Sequence, residues 1–378
     1  MKKTFRTPET EVRVYIISEP RIGQILSSAR KSKTKLVMIM YNIEMSLRTG
    51  KVRVGLVGTG YAAKSRADAL LADNRTDLVA IVGHQPETTA KFAKEYQTEA
   101  LSSWQNLVER QDIDLVVIST INRDHGAIAR GAILQGKNVI VEYPLSVDAT
   151  EAEELITLAK NQNKLLHVEH IELLGGLHQA LKQNLTLVGD IFYVRYSTIN
   201  PQHPAPRKWT YSHEMFGFPL IGALSRLHRL TDLFGQVFSV NCHQRYWETE
   251  QDYYQTCFCI SQLCFDNGVL AQVVYGKGET LWQPERKFEI HGQKGGLIFD
   301  GDTGVLVQSG ETTPIEVGTR RGLFAKDTTM VLDHIFNGTR LYVTPESSLY
   351  TLKVADAAHR AAQTGLTIFM KDFGSENL

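Results

Sequence analysis

The stretch Val52-Arg53-Val54-Gly55-Leu56-Val57-Gly58-Thr59-Gly60-Tyr61-Ala62-Ala63 decides the fold. Aliphatic and β-branched side chains at Val52, Val54, Leu56 and Val57 make a short strand, and the glycines behind it end that strand. From residue 64 to 72, Ala and Leu return at helical spacing. A lone G-x-G-x-x-A motif is weak, but between a strand and a helix it is specific for a nucleotide. Gly58 permits the tight turn, Gly60 lets the backbone approach a diphosphate, and Ala63 allows close helix–strand packing. The helix start adds free N–H groups and a positive dipole end. Gly58, Thr59, Gly60, Tyr61, Ala62 and Ala63 are therefore the candidate phosphate cradle.

Further along the chain, strands at 78–82, 115–119, 138–141 and 165–168 alternate with helices at 88–96, 125–135 and 149–161. This alternation predicts a doubly wound parallel sheet over residues 51–172, with right-handed crossovers. The end of the second strand reads Ile81-Val82-Gly83-His84-Gln85-Pro86. An NAD enzyme usually carries a carboxylate there for the ribose hydroxyls. Gly83 and His84 leave a 2′-phosphate unrepelled, so NADPH is expected in preference to NADH. His84 could donate to that phosphate, with Lys91 or Arg66 swinging in. Asn122 and His125 follow the third strand, where such a sheet opens its ligand crevice. A place at the cofactor edge is expected for them, with helix capping as the alternative.

After Leu173 the alternation stops. Runs at 191–199, 237–247, 254–265, 269–275, 287–291 and 296–299 are rich in β-branched and aromatic residues. Asp266-Asn267-Gly268 is a hairpin signal between two of them. Few crossover helices are available, so residues 173–378 are expected to form an α+β domain with a mostly antiparallel sheet. One helix is predicted over 219–233, and a closing helix over 347–364. The fold class is thus α/β plus α+β.

The chain of 378 residues has room for two or three domains. Lys plus Arg total 41, as do Asp plus Glu. A net charge of zero argues against a nucleic-acid binder with a basic body. No apolar run approaches the roughly 18 residues of a membrane span. The four Cys lie between 242 and 264 and make no disulfide framework, so a cytoplasmic setting is expected. Cys257 and Cys259 read as buried small hydrophobes. Residues 1–50 differ from the rest, with ten Lys and Arg against four Glu and no secretory pattern. They read as an unstructured basic extension, with an arm for a partner or a membrane surface as the alternative.

With Glu142-Tyr143-Pro144 on a later strand and an open sheet behind it, residues 51 to about 370 resemble the glucose–fructose oxidoreductase and inositol dehydrogenase family. The stretches VGTGYAAKSRA (57–67), VEYPL (141–145), LLHVEHIELLGG (165–176), RYSTIN (195–200), PAPRKWTY (204–211), FGFPLIGALSR (216–226), VVYGKGE (273–279) and GTRRGLF (318–324) are similar to the branch that reduces linear tetrapyrroles. The resemblance implies an NADPH-dependent reductase of the central methine bridge of biliverdin, giving bilirubin. It also implies that Arg226 lies near the bilin and takes part in protonation.

Sugar-oxidising members of the family usually carry Glu-Lys-Pro, and an Asp, a His and a second Asp near a helix. Here Tyr143 replaces the Lys. Counting back from Asp232 puts Arg229 at the His position and Ser225 at the first Asp, with His228 one residue out of register. An alcohol oxidation needs a base for the hydroxyl proton, so these departures argue against a sugar or cyclitol dehydrogenase. A non-catalytic NADP-binding protein is the remaining alternative. A flat, apolar dicarboxylate asks instead for aromatic faces and a few cations. Arg195, Tyr196, Trp209, Arg226 and Arg229 are the candidates for binding it. Tyr193, Arg195 and Ser197 alternate with Tyr196 and Thr198, so only one of the two faces can meet the substrate. Arg stays protonated at ordinary pH, so Arg226 is read as stabilising charge or holding a water, with Tyr143 and His170 as alternative proton donors. Glu142 is read as shaping the nicotinamide site. His167 and His170 flank Glu169 at a strand end, and that spacing does not suit a helical zinc pair, so no metal is expected.

Overall fold

The computed structural model describes residues 5–7, 10–12, 50–248 and 252–373. The expected extension falls almost wholly outside them. What is described there is one antiparallel pair of short strands, Phe5–Thr7 and Thr10–Val12.

The nucleotide-binding half is a sheet of six parallel strands: β1 (Val52–Val57), β2 (Thr76–Val82), β3 (Glu99–Leu101), β4 (Leu115–Ile118), β5 (Asn138–Val141) and β6 (Leu166–Val168). Their order is β3-β2-β1-β4-β5-β6. Helices α1 (Tyr61–Ala72), α2 (Pro86–Glu95), α3 (Trp104–Glu109), α4 (His125–Leu134) and α5 (Ala149–Asn161) connect them. Both faces of β1 are covered, as a parallel sheet requires. Val52, Val54 and Leu56 pack with Ala63, Ala67 and Leu70 of α1. On the other face Gly55 lies under Leu107 and Ile113. Strand β3 and helix α3 were not anticipated. At three and six residues they are too short for a periodic signal to emerge.

The second half begins with α6 (Gly176–Asn184) and contains a nine-stranded sheet: β7 (Ile191–Pro201), β8 (Val237–Glu248), β9 (Tyr254–Phe265), β10 (Leu270–Gly278), β11 (Glu285–Gly292), β12 (Gly295–Asp300), β13 (Thr303–Gln308), β14 (Glu311–Ile315) and β15 (Ile368–Phe369). The order is β14-β13-β12-β11-β7-β10-β9-β8-β15, and only the central β7–β10 pair is parallel. The Asp266-Asn267-Gly268 turn joins β9 to β10, with Gly268 at φ +86°. Across the sheet centre Tyr196 pairs with Val273 and Phe288, and Thr198 pairs with Tyr275 and Arg286. Residues of that parity share one face, and Arg195, Gln272 and Glu289 share the other.

Three further differences from the sequence reading have physical causes. The helix expected over 219–233 is two pieces, Pro219–Gly222 and α7 (Ser225–Phe234). Between them Ala223 leaves helical geometry, and the Phe216 ring packs against Gly222 so closely that a Cβ there would meet it at 2.4 Å. Strand β14 was missed because it is a five-residue edge strand with a polar, exposed pattern, and β13, paired between it and β12, because only Val305, Leu306 and Val307 interrupt its small and polar residues. Helix α8 (Leu323–Asn337) was missed as well. It leaves the second half and packs on the first, where Val331, Leu332 and Ile335 are buried with Val52, Val54 and Leu70. Each such buried side chain contributes roughly 1.5–3 kcal/mol. Helix α9 (Pro345–Thr364) then closes against β8.

Gly58 has φ +129°, and a Cβ on it would lie 2.1 Å from the Ser119 carbonyl oxygen. Gly58→Ala should therefore cost at least about 1–3 kcal/mol in backbone strain and should abolish nucleotide binding. Urea unfolding and a nucleotide titration check both, and a variant that binds normally would refute this reading of the turn.

Candidate active site

The candidate phosphate end of the site is the start of α1. Gly60 caps that helix without any side-chain cap, and its first turn carries no acidic residue. Its leading N–H groups have no helical partner. A Cβ on Gly60 would meet no heavy atom within 4 Å, so the turn leaves backbone open to a ligand. The cradle of Gly58, Thr59, Gly60, Tyr61, Ala62 and Ala63 therefore fits a diphosphate.

At the end of β2, a Cβ on Gly83 would sit 2.5 Å from Thr89 Oγ1 and 2.6 Å from Thr59 Cγ2. A side chain there would have to displace Thr59 and Thr89, and as glycine the position presents no carboxylate to the ribose. His84 and Lys91 are exposed beside it. Arg66 is a correction: it does not swing toward a 2′-phosphate. It is fully buried, donating from Nε to Glu142 at 2.9 Å and from Nη1 to Asp327 at 2.5 Å.

Glu142 follows β5 directly, at the crevice edge of the sheet. Its carboxylate meets Arg66 on one side and the buried Glu169 on the other. Burial and the adjacent Glu142 push the Glu169 pKa well above its ordinary value. Burial would raise Asp327 too, but Arg66 and His167 hold it well below the usual carboxylate range.

Asn122 and His125 are buried in contacts with backbone. Asn122 Nδ2 donates to the Phe216 carbonyl at 3.0 Å. His125 Nδ1 lies 2.7 Å from Pro144 O, and its Nε2 lies 3.2 Å from Thr120 O. Burial lowers the His125 pKa and favours a neutral ring. Their ring and amide groups brace the loops that carry Tyr143 and Phe216.

Tyr143, Ser225 and Arg226 form a hydrogen-bonded row. The Tyr143 hydroxyl donates to Ser225 Oγ at 3.1 Å, and Arg226 Nη1 donates to the same oxygen at 2.7 Å. Burial pushes the Tyr143 phenol up to about 12, against the opposing effect of Arg226. Burial opposes the charge on Arg226, yet Tyr196, Tyr143, Tyr275 and Glu172 hold its pKa above the ordinary value. Arg226 lies over the Tyr275 ring at 5.9 Å, and its Nε has no hydrogen-bond partner. His170 is wholly buried, stacked on Tyr143 at 5.2 Å and edge-on to His228 at 3.8 Å. Its Nε2 meets Ser348 Oγ at 2.8 Å. Burial and the neighbouring His228 and His167 hold its pKa well down. The neutral His170 ring is therefore favoured over the imidazolium.

Arg229 lies over Tyr196 at 5.9 Å and donates from Nη2 to Glu172 at 3.2 Å, leaving Nε and Nη1 unpartnered. Burial raises the Tyr196 phenol, but Arg229 and Arg226 outweigh it and pull the pKa below the usual value. Arg320 donates to the other Glu172 oxygen at 3.1 Å. Glu172, Arg286 and Arg320 were not singled out in the sequence. Strand parity could have found Arg286, which shares the face of Tyr196. Arg195 is a second correction. It lies on the opposite face, paired with Glu285 at 2.8 Å and Glu289 at 3.3 Å, and does not join Tyr196 and Arg226. Trp209 packs on Phe216 at 5.9 Å, beside Lys277, whose Nζ sits 3.6 Å over the Phe216 ring. Asp232 pairs with His178 and Lys182. His167 Nε2 donates to the Asp327 carboxylate, and Cys257 and Cys259 are buried thiols.

Burial lowers Lys277 from 10.5 to about 8. Between those values the unfolded chain binds the proton that the folded one has lost, so stability should rise with pH there and stay flat below about 8. The rise is on the order of 3 kcal/mol. Lys277→Met should remove it, and urea midpoints from pH 7 to 10 give the measurement; an unchanged pH slope would sink this assignment.

The oxidoreductase family with an NAD-binding Rossmann fold matches residues 52–170, and its C-terminal alpha/beta domain matches residues 182–369. Among solved structures, biliverdin reductase from Synechocystis sp. PCC 6803, in complex with biliverdin and NADP+, is 51% identical, with a TM-score of 0.82 over 82% of this chain and 99% of that one. Mouse biliverdin reductase A is 26% identical over 281 residues, 73% of this chain and 83% of its own length. A 3-ketoreductase from Actinomadura kijaniata, in complex with NADP and TDP-benzene, shares the fold at 21% identity and a TM-score of 0.73, over 82% of this chain and 98% of that one.

Proposed function

Because the chain belongs to the oxidoreductase family that joins an NAD-binding Rossmann fold to a C-terminal alpha/beta domain, we propose that it reduces the central methine bridge of biliverdin to bilirubin. When bound, NADPH supplies the hydride. The carrying observation is the Tyr143–Ser225–Arg226 row, set against the Tyr196 and Tyr275 aromatic wall. The 51% identity with the Synechocystis reductase supports the choice of substrate.

Hydride arrival at the bridge carbon moves an electron pair toward a pyrrole nitrogen, which must then take up a proton. Arg226 remains charged and stabilises that developing negative charge. The raised pKa of Tyr143 keeps its hydroxyl protonated, so it can pass a proton while Ser225 and Arg226 hold it in place. The unpartnered nitrogens of Arg229 suit a propionate carboxylate. An alcohol oxidation is disfavoured, because Tyr143, Arg229 and Ser225 stand where a sugar dehydrogenase needs its Lys, His and Asp. A reducing, cytoplasmic setting agrees with the free cysteines. Among the described residues, no helix is long and apolar enough to cross a membrane.

Mixing the protein with NADPH and biliverdin should bleach the long-wavelength bilin band while one NADPH is oxidised per bilin. NADPH should give the higher kcat/KM. Binding of NADPH without turnover would leave only a nucleotide-sensing protein, and a tenfold preference for NADH, about 1.4 kcal/mol, would overturn the reading of Gly83 and His84. Arg226→Ala should lower kcat by roughly 10²–10³ with NADPH affinity unchanged, and Arg226→Lys should restore only part of the rate. A raised KM at intact kcat would make Arg226 a carboxylate clamp and leave protonation to Tyr143.

A further inference from the structure

The buried charges around Arg66 belong to three different parts of the chain. Arg66 lies on α1, one turn past the phosphate cradle. Glu142 directly follows β5, at the crevice end of the strand, with a side chain 13% exposed. Asp327 lies on α8, which reaches this place from beyond the second sheet. Asp327 is wholly buried and receives Arg66 Nη1, His167 Nε2 at 2.8 Å and the Tyr342 hydroxyl at 2.7 Å. Arg66 Nη1 also reaches Thr328 Oγ1 at 3.2 Å, and the Phe324 ring lies 5.1 Å from the guanidinium. Asp327, Thr328 and Phe324 of α8 thus hold Arg66 from one side, while the opposite side of the guanidinium holds Glu142.

We infer that Asp327 is a positioning residue: through Arg66 it sets the spacing between the diphosphate-binding start of α1 and Glu142 at the nicotinamide end of the crevice. The inference rests on the reading of this crevice as a dinucleotide site. The two ends of a dinucleotide are joined covalently, so a crevice whose ends drift apart cannot hold both in register. A planar guanidinium with fixed forks transmits position where a flexible ammonium would not. Asp327 is wholly buried, and of its partners Arg66 is the one that also holds Glu142.

The test uses the full-length protein with Asp327→Asn, Asp327→Glu and Tyr342→Phe, and reads NADPH dissociation constants, kcat and melting temperature. Asp327→Asn should weaken NADPH binding about tenfold and lower kcat by up to roughly 10²-fold, the effect of a misplacement near 1 Å. Asp327→Glu should recover part of both, and Tyr342→Phe, which leaves the charges balanced but removes one donor to Asp327 together with the acceptor of the His170 N–H, should shift both in the same direction by less. A folded Asp327→Asn protein with a lowered melting temperature but both constants within about twofold of wild type would make the cluster purely structural. If Asp327→Asn does not fold, Tyr342→Phe decides on the NADPH constant, since its hydroxyl also holds the His170 backbone beside Tyr143. The NADPH constants need no bilin, so a wild-type protein that fails to reduce biliverdin overturns the proposed substrate and leaves this measurement standing.

Discussion

A fully buried guanidinium, that of Arg66, is held by two carboxylates that come from 76 and 261 residues away in the chain. An isolated charge at such a depth is prohibitive, and removing one partner of a buried pair typically costs about 3–5 kcal/mol. The electrostatics therefore require α1, the end of β5 and helix α8 to be present together. Hydrophobic packing of Val331, Leu332 and Ile335 brings α8 to the sheet. The charges then specify its register, because only one placement puts Asp327 on Arg66, His167 and Tyr342 at once.

The proposed substrate side of the cleft is organised on a different principle. Charge there is left partly uncompensated. Arg226 and Arg229 retain guanidinium nitrogens without partners, and the flanking groups are phenols, a neutral imidazole and the single carboxylate of Glu172. Such an environment is preorganised for a substrate that brings negative charge and a conjugated face. It offers little to a sugar hydroxyl, which needs a base near neutral pH. One fold thus supports a different reaction by replacing a few side chains around a retained nucleotide site.

The nucleotide half was legible in the sequence because its signals are local. A strand, two glycines and a helix lie within some twenty residues, and β2, β4 and β5 each hold a compact aliphatic run. The candidate site was only partly legible. Tyr143, Ser225, Arg226 and Arg229 could be located by their offsets within motifs, but which face of β7 meets the substrate depends on its pairing with β10 and β11. That is why Arg195 seemed as good as Tyr196. Arg66 was misjudged because its surroundings are made by Asp327 and Thr328, and no local pattern reports a contact across 261 residues. Glu172 and Arg320 escaped notice for the same reason.

Helix α8 also bears on how the molecule assembles. The first half of the chain contains the whole parallel sheet, yet a hydrophobic face of α1 and the Arg66 guanidinium stay uncovered until residues 323–337 arrive. During synthesis at about 5–20 residues per second, the nucleotide half emerges long before the helix that completes it. Its central contact has a very high sequence separation, which slows the closing step of folding. The nucleotide fold is therefore first in the sequence and among the last parts to be finished, and in the interval the growing chain carries an exposed apolar stripe that a chaperone can hold.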